Sequence, residues 1–133
     1  MSFKFTIKTP DREVFHGEVS AVSLDTEDGR VQVLTGHADF MTTLQYSVIR
    51  VDMENRSVTF VGRSGIFSFD HARGAAELLC LYCEEDSEVN LQSTAEYLEF
   101  LRTELGKGDL SSYQVLYLQG EKLAVEKQVK GKN

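Results

Sequence analysis

A single change of hydrophobic period constrains this chain more than any other feature. Phe3, Phe5 and Ile7 alternate with Lys4, Thr6 and Lys8, the period of two that a strand with one buried face requires. Past residue 90, Leu91, Ala95, Leu98, Leu101 and Leu105 recur at steps of four, three, three and four, which is one stripe along an α-helix. The two periods follow one another along the chain and do not mix. An all-β unit followed by a helical one is therefore expected.

The alternation recurs at Val14–Leu24, Val31–Leu34, Ser47–Met53, Ser57–Val61, Gly65–Phe69 and Ala76–Cys83. The runs are punctuated by Thr9-Pro10-Asp11, Glu27-Asp28-Gly29, Gly36-His37-Ala38-Asp39, Glu54-Asn55-Arg56 and Ala72-Arg73-Gly74, all rich in turn-forming residues. Many short strands, each half buried, predict a β-sandwich or barrel. Charge marks where it ends: residues 1–89 carry 8 basic and 15 acidic side chains, whereas residues 90–133 carry 6 of each. The expected domains are a β-sandwich over 1–89 and a helical unit over 90–133.

In the second unit, Ser93-Thr94-Ala95-Glu96 has the spacing of a capping box, and Ser111 to Gln114 repeats it. The first apolar stripe stops at Gly106. Tyr113, Leu116, Tyr117, Leu123 and Ala124 form the expected second stripe. Only Gly106–Leu110 separates the two helices, too short a link for anything but an antiparallel hairpin. The fold class is thus mainly β with a small α part: an N-terminal β-sandwich followed by a C-terminal antiparallel helical hairpin.

Charge and cysteine usage narrow the function. With Lys+Arg 14 against Asp+Glu 21, the net charge is −7, and such a chain repels phosphate backbones; nucleic acid is not an expected partner. No stretch approaches the roughly 18 consecutive apolar residues of a membrane span, so no direct insertion into a membrane is expected. The opening Met-Ser-Phe-Lys alternates from the start instead of building the apolar block of a secretory signal, which gives the expectation of a cytoplasmic or already processed protein. Cys80 and Cys83 have half the spacing of a zinc ribbon, but the second pair is missing. On a strand, residues three apart also face opposite ways, so both are read as small core or edge side chains.

No catalytic constellation emerges. His37 and Asp39 share one side of an extended segment, yet His16 and His71 carry no motif that would make either a third metal ligand. Gly106-Lys107-Gly108-Asp109 lacks the upstream glycine and the following Ser/Thr of a phosphate loop. Glu84-Glu85-Asp86 is a solvated acidic turn. No catalytic residue, metal site or cofactor is assigned.

Read in order, Thr9-Pro10, Glu13-Val14-Phe15-His16-Gly17-Glu18-Val19, Val31-Gln32-Val33-Leu34-Thr35-Gly36-His37-Ala38, Val48-Ile49-Arg50-Val51 and Ser64-Gly65-Ile66-Phe67 resemble the epsilon subunits of F-type ATP synthases. The resemblance covers nearly the whole chain, including its change from strands to helices. It implies a non-enzymatic part of the rotating central stalk, with the gamma subunit and the membrane c-ring as partners. The implied location is peripheral, on the cytoplasmic side of the inner (plasma) membrane, within a complex that moves hydrogen or other ions. By the same resemblance Glu27, Asp28, Gly29, Arg30 and His37 are the c-ring contact. In some relatives the hairpin also swings toward the catalytic subunits and inhibits ATP hydrolysis through basic side chains. Lys122, Lys127, Lys130 and Lys132 are the residues here that fit such a contact, although lysines near a helix C-terminus also favour its dipole.

The chain departs from the family pattern in places. Arg30 stands where a carboxylate is common, and Thr35 and Asp39 stand where prolines flank Gly-His-Ala. Ser93–Leu105 has no Asp-x-x-Arg-Ala-like motif, so the ATP binding of some relatives is not carried over. Two other classes remain open: a stand-alone β-sandwich protein-binding module, and a small hydrolase or metal-dependent enzyme built around His37 and Asp39.

Overall fold

The computed structural model describes residues 1–88 and 91–132, with side chains described for 1–87 and 93–130. The chain divides into two compact units, Met1–Glu88 and Val89–Asn133. The expected boundary at residue 89 thus falls on residues outside the described set.

The first unit has seven strands: β1 (Phe3–Lys8), β2 (Glu13–Val19), β3 (Ala21–Thr26), β4 (Gly29–Leu34), β5 (Phe40–Asp52), β6 (Ser57–Asp70) and β7 (Ala75–Glu85). They form one sheet in the order β2-β1-β7-β6-β5-β3-β4. Every pairing is antiparallel except β1 with β7, which is parallel and sets Phe5 beside Ala76 and Ile7 beside Leu78. Strands β1 and β4 are five positions apart in this order, about 24 Å in a flat sheet. Even so, Phe5 and Ile7 share one buried core with Leu24 and Val33. Likewise Phe15 on β2 meets Phe60 on β6 edge-on, with ring centroids 5.7 Å apart. A sheet can do this only by folding over on itself into two layers.

The fold-over has a local cause. Along β7 the buried residues run Ala76, Leu78, Cys80 and then Cys83, so the alternation slips by one residue. Strand β6 slips between Gly62 and Gly65, where Ser64 takes a positive φ of 56°. Strand β5 slips between Leu44 and Ser47. Three neighbouring strands thus change phase at the same level, and the same face stays inward on both sides of the bend. A Cβ on Gly62 would lie 3.0 Å from Ile49 Cδ1, and one on Gly65 only 2.5 Å from Cys80 Sγ. Glycine is what lets the layers close there.

Strand boundaries differ from expectation in two respects. The run 14–24 is two strands, broken at Ser20, whose N–H and hydroxyl both donate to the Asp52 carbonyl, at 2.7 and 3.0 Å. Conversely, 57–61 and 65–69 belong to one strand that passes straight through the phase slip. Cys80 and Cys83 are core side chains, as expected, but the slip puts both on the same face. A hydrogen bond with Cys83, and after it burial, push the Cys80 thiol far above its ordinary pKa, which suits a packing role and not that of a nucleophile.

The second unit is a pair of contacting helices, α1 (Leu91–Gly106) and α2 (Ser112–Lys132). Leu98 and Leu101 bury against Val125, with Tyr97, Leu118 and Val129 packed beside them. Tyr97 Oη donates to Glu121 Oε2 at 2.7 Å, and Arg102 reaches Glu126 at 3.4 Å. The box at α2 is formed: Gln114 N–H donates to Ser111 Oγ and Ser111 N–H to Gln114 Oε1. At the first helix, α1 begins at Leu91, so Ser93 lies within its first turn and not before it.

The expected helical stripes are met in part: Leu98 and Leu101 on α1 and Ala124 on α2 are buried as expected. On α1, Thr94 is buried and Ala95 exposed. On α2, Tyr113, Leu116, Tyr117 and Leu123 face solvent, while Leu118, Glu121, Val125 and Gln128 turn inward. A helix apolar on both sides offers period arithmetic two stripes, and tertiary packing chose the other.

Candidate functional site

Three surfaces carry candidate chemistry, two of which the sequence singled out. The first is the β3–β4 hairpin tip. Thr26 hydroxyl donates to the Gly29 carbonyl at 2.8 Å and accepts the Asp28 N–H at 3.2 Å, while Gly29 turns the chain at φ 117°. The tip therefore presents the Glu27 and Asp28 carboxylates to solvent. Arg30 is held back: it pairs with Asp25 at 2.8 Å and donates to the Val48 carbonyl at 3.2 Å. The structure does not bring His37 to this tip. The full length of β4 lies between them, roughly 17 Å at strand rise.

His37 belongs instead to a junction of two turns. Its ring stacks edge-on against Phe40 and Phe69, at 5.5 and 5.8 Å between centroids. Its Nδ1–H donates to the Ala38 carbonyl at 2.7 Å, the only direction open because a carbonyl cannot donate. His71 Nδ1–H donates to the His37 carbonyl at 2.9 Å, and the His71 backbone N–H donates to Asp39 at 2.7 Å. Asp39 thus ties turn 35–39 to turn 71–74. Among the described residues, no three His, Cys, Asp or Glu side chains come together to hold a metal.

The second surface is the outward face of β5, β6, β7, β1 and β2, which sequence reasoning did not single out. Cross-strand partners there form rows: Thr43, Ile66, Leu79 and Lys8 in one, Met41, Ser68, Glu77, Thr6 and His16 in the next. Met41, Ile66 and Leu79 are exposed, and Leu81 extends the strip. A groove of about 700 Å³ runs beside it, lined by Lys4, Thr6, His16, Met41 and Glu77 among others. The pattern was readable in principle, since Met41, Ile66, Leu79 and Leu81 are the residues left outward once Phe67, Leu78 and Cys80 turn in. It needed the strand register to be seen.

The third surface is α2. Lys127 and Lys130 fall about 60° apart around the helix, on the side of Leu123, whereas Lys122 lies some 140° from Lys127 and is half-buried. The Lys132 side chain is outside the described set. Lys122, Lys127 and Lys130 thus do not make one patch.

A seven-stranded sheet folded into two layers, followed by a pair of contacting helices, defines the architectural class. Residues 2–73 match the family model "ATP synthase, Delta/Epsilon chain, beta-sandwich domain". The chain belongs to this ATP synthase delta/epsilon family, and it is a non-catalytic subunit. It is 33% identical over 94 residues to the ATP synthase epsilon chain of Clostridium kluyveri, covering 70% of each chain. It is 32% identical over 128 residues to that of Hyphomonas neptunium, covering 91% of this chain and 94% of the relative. Among solved structures its fold resembles a chain in the mitochondrial ATP synthase of Euglena gracilis, described as OSCP/F1/c-ring, with TM-score 0.74 at 16% identity over 99% of this chain and 82% of that one. A chain of the Tetrahymena thermophila central stalk/c-ring shares the fold at TM-score 0.62 and 14% identity, covering 95% of each.

Proposed function

We propose that this chain is the epsilon subunit of a rotary ATP synthase central stalk, seated between the gamma subunit and the c-ring of a membrane-bound complex, on its cytoplasmic side. The observation that carries the reading is the exposed strip Met41, Ile66, Leu79 and Leu81 on rigid, hydrogen-bonded strands beside an open groove. A rotor part needs stiffness together with a broad adhesive face, and a row of apolar side chains on a sheet interior supplies both. The gamma subunit takes that face in this reading. The Glu27–Asp28 tip, acidic and free of internal ion pairs to its own sheet, meets basic groups on the ring loops. His37 acts at the far end of β4 by holding the turn junction. Lys127 and Lys130, on one side of α2, are the residues that this reading assigns to an inhibitory contact with the acidic surface of a catalytic subunit.

The test is co-elution of the full chain with purified gamma subunit from the same source, at about micromolar concentration and without nucleotide. A stable one-to-one complex is expected, weakened by Ile66→Lys or Leu79→Lys. Separate elution, or binding indifferent to both substitutions, would remove the assignment of that face.

A further inference from the structure

Cys80 and Cys83, the two cysteines of the chain, are both free and both buried. On an unbroken strand, side chains three positions apart point to opposite faces. The phase slip in β7 turns both inward instead, with Cys80 opposite Gly65 and Cys83 opposite Gly62 across β6. A Cβ built on Gly62 would lie 3.3 Å from Cys80 Sγ and 3.8 Å from Cys83 Sγ, so both sulfurs crowd around one empty side-chain position. The two side chains also hydrogen-bond to each other. The bend has thus gathered into one place two thiols that strand geometry would keep apart.

The surroundings narrow the chemistry. A structural zinc site needs four ligands, and among the described residues no three His, Cys, Asp or Glu side chains come together. A disulfide needs no further ligand, and it needs less room than two thiols, because the sulfurs draw together to about 2.05 Å. The side chains are only 4% and 2% exposed, which shuts out a bulky disulfide reagent but not an oxidant close to water in size. We propose that Cys80 and Cys83 are a redox pair that hydrogen peroxide converts to an intrachain disulfide across the bend of β7.

The order of events follows from the contact between the sulfurs. Cys80 keeps its proton, since the hydrogen bond with Cys83, and then burial, raise its pKa. Cys83 therefore makes the first attack. Its thiolate sulfur bonds to one peroxide oxygen, the O–O bond breaks, and the expelled hydroxide takes up the proton that Cys83 lost, leaving a sulfenic acid at Cys83. The Cys80 sulfur then attacks the Cys83 sulfur: the S–S bond forms, the S–O bond breaks, and the Cys80 proton leaves with the hydroxide as water. Two thiols are oxidised by two electrons and one peroxide is reduced to two waters. A weak nucleophile suffices for the second step, because its target is already in contact.

The ring closed by this bond contains Leu81 and Tyr82. Leu81 is 55% exposed on the outward strip, and the Arg63 guanidinium carbon stands 4.2 Å from the centre of the Tyr82 ring. Oxidation inside the core is carried to the outer surface through these two residues. The change concerns this chain alone and is independent of the central-stalk reading.

The experiment exposes the folded full-length chain to hydrogen peroxide, removes the oxidant with catalase, then unfolds and alkylates the protein for mass spectrometry. Both alkylation sites are expected to disappear together, with a mass lower by two hydrogen atoms, and to return after a dithiol reductant. In urea below the unfolding transition the rate is expected to change by less than about twofold. Hydrogen exchange of the oxidised chain is expected to change at Leu81 and Tyr82. Cys80→Ser is expected to leave a sulfenic acid at Cys83 that dimedone captures, and Cys83→Ser to leave Cys80 unreactive. Thiols that stay free, that oxidise separately to sulfinic acids or that link two chains overturn the proposal. A rate that climbs with urea in step with the unfolded fraction overturns it as well, since the pair then reacts only in the open chain. Dimedone capture at Cys80 in Cys83→Ser, with none at Cys83 in Cys80→Ser, overturns the assigned order.

Discussion

Cys80 Sγ lies 2.5 Å from the point where a Cβ on Gly65 would stand, so the sulfur occupies the side-chain space that Gly65 gives up. The two are cross-strand partners at the bend of β6 and β7. Gly65→Ala is expected to destabilise the first unit by about 1–3 kcal/mol, the usual range for overpacking a core. Truncating the sulfur in the same chain, Gly65→Ala with Cys80→Ala, returns part of that loss, because the clash and its relief are one interaction. Urea unfolding of the two single variants and the double variant measures the coupling. Strict additivity would show that the bend relaxes around the new methyl group.

The β5–β6 turn gives a pH-dependent prediction. Asp52 accepts from Ser57 Oγ at 2.5 Å and from Arg50 Nε at 2.9 Å, and these bonds, Ser57 first, hold its carboxyl below the ordinary aspartate range. A depressed folded pKa stabilises the fold above the unfolded value, about 3.9, and the gain is lost as pH falls through the folded one. Asp52→Asn is therefore expected to cost about 1 kcal/mol at pH 7 and progressively less from pH 4 downward. Denaturant melts at pH 7, 5 and 3 read the difference directly. A gap that is constant with pH would mean that the charge is not what holds the turn.

Much of this unit was legible because burial on one face leaves a period of two. The turns at Glu27-Asp28-Gly29 and Ala72-Arg73-Gly74 were legible too, since Gly29 and Gly74 sit at the positive φ that such turns require. The break at Ser20 was not, because the corner is held by a bond to Asp52, 32 residues away, and has no local glycine or proline signal. The same holds for the join of 57–61 to 65–69: Gly62-Arg63-Ser64 has turn composition but serves as a kink inside one strand.

The candidate site was legible in part. The acidic tip stands out in sequence as a turn with two carboxylates, and its exposure follows from the turn. His37 was grouped with it through family resemblance, and the structure separates the two by the length of β4. The apolar strip Met41, Ile66 and Leu79 was hidden because it exists only across strands, between residues 13 to 38 apart in the chain.

The tip has its own test in an assembled complex. Glu27→Ala with Asp28→Ala is expected to leave the fold within about 0.5 kcal/mol per site, as exposed loop changes usually do. ATP hydrolysis is expected to continue while ion pumping falls. Adding His37→Ala should cost stability, because its ring packs between Phe40 and Phe69. Pumping that stays at the parent rate in the double variant would take the tip out of ring contact.

The lysines of α2 separate by face. Lys127→Glu with Lys130→Glu is expected to raise the hydrolysis rate of the assembled complex without impairing assembly, whereas Lys122→Glu alone leaves it near the parent value. Equal rates for all variants would make the hairpin a brace instead of a brake.

The one parallel pairing has a consequence for how the chain comes into being. Strand β1 hydrogen-bonds to β7, some 70 residues later, and β7 stands between β1 and every strand made in the interval except β2. The hairpin of β1 and β2 can form early, but its apolar face has no lid until β7 has been synthesised. Long sequence separation of this kind slows folding toward the millisecond-to-second range and prolongs exposure of sticky edges. A ribosome that stalls inside β6 would thus leave Phe3, Phe5 and Ile7 uncovered on the nascent chain. For this subunit, translation of β7 is the event that turns a collection of hairpins into a closed body.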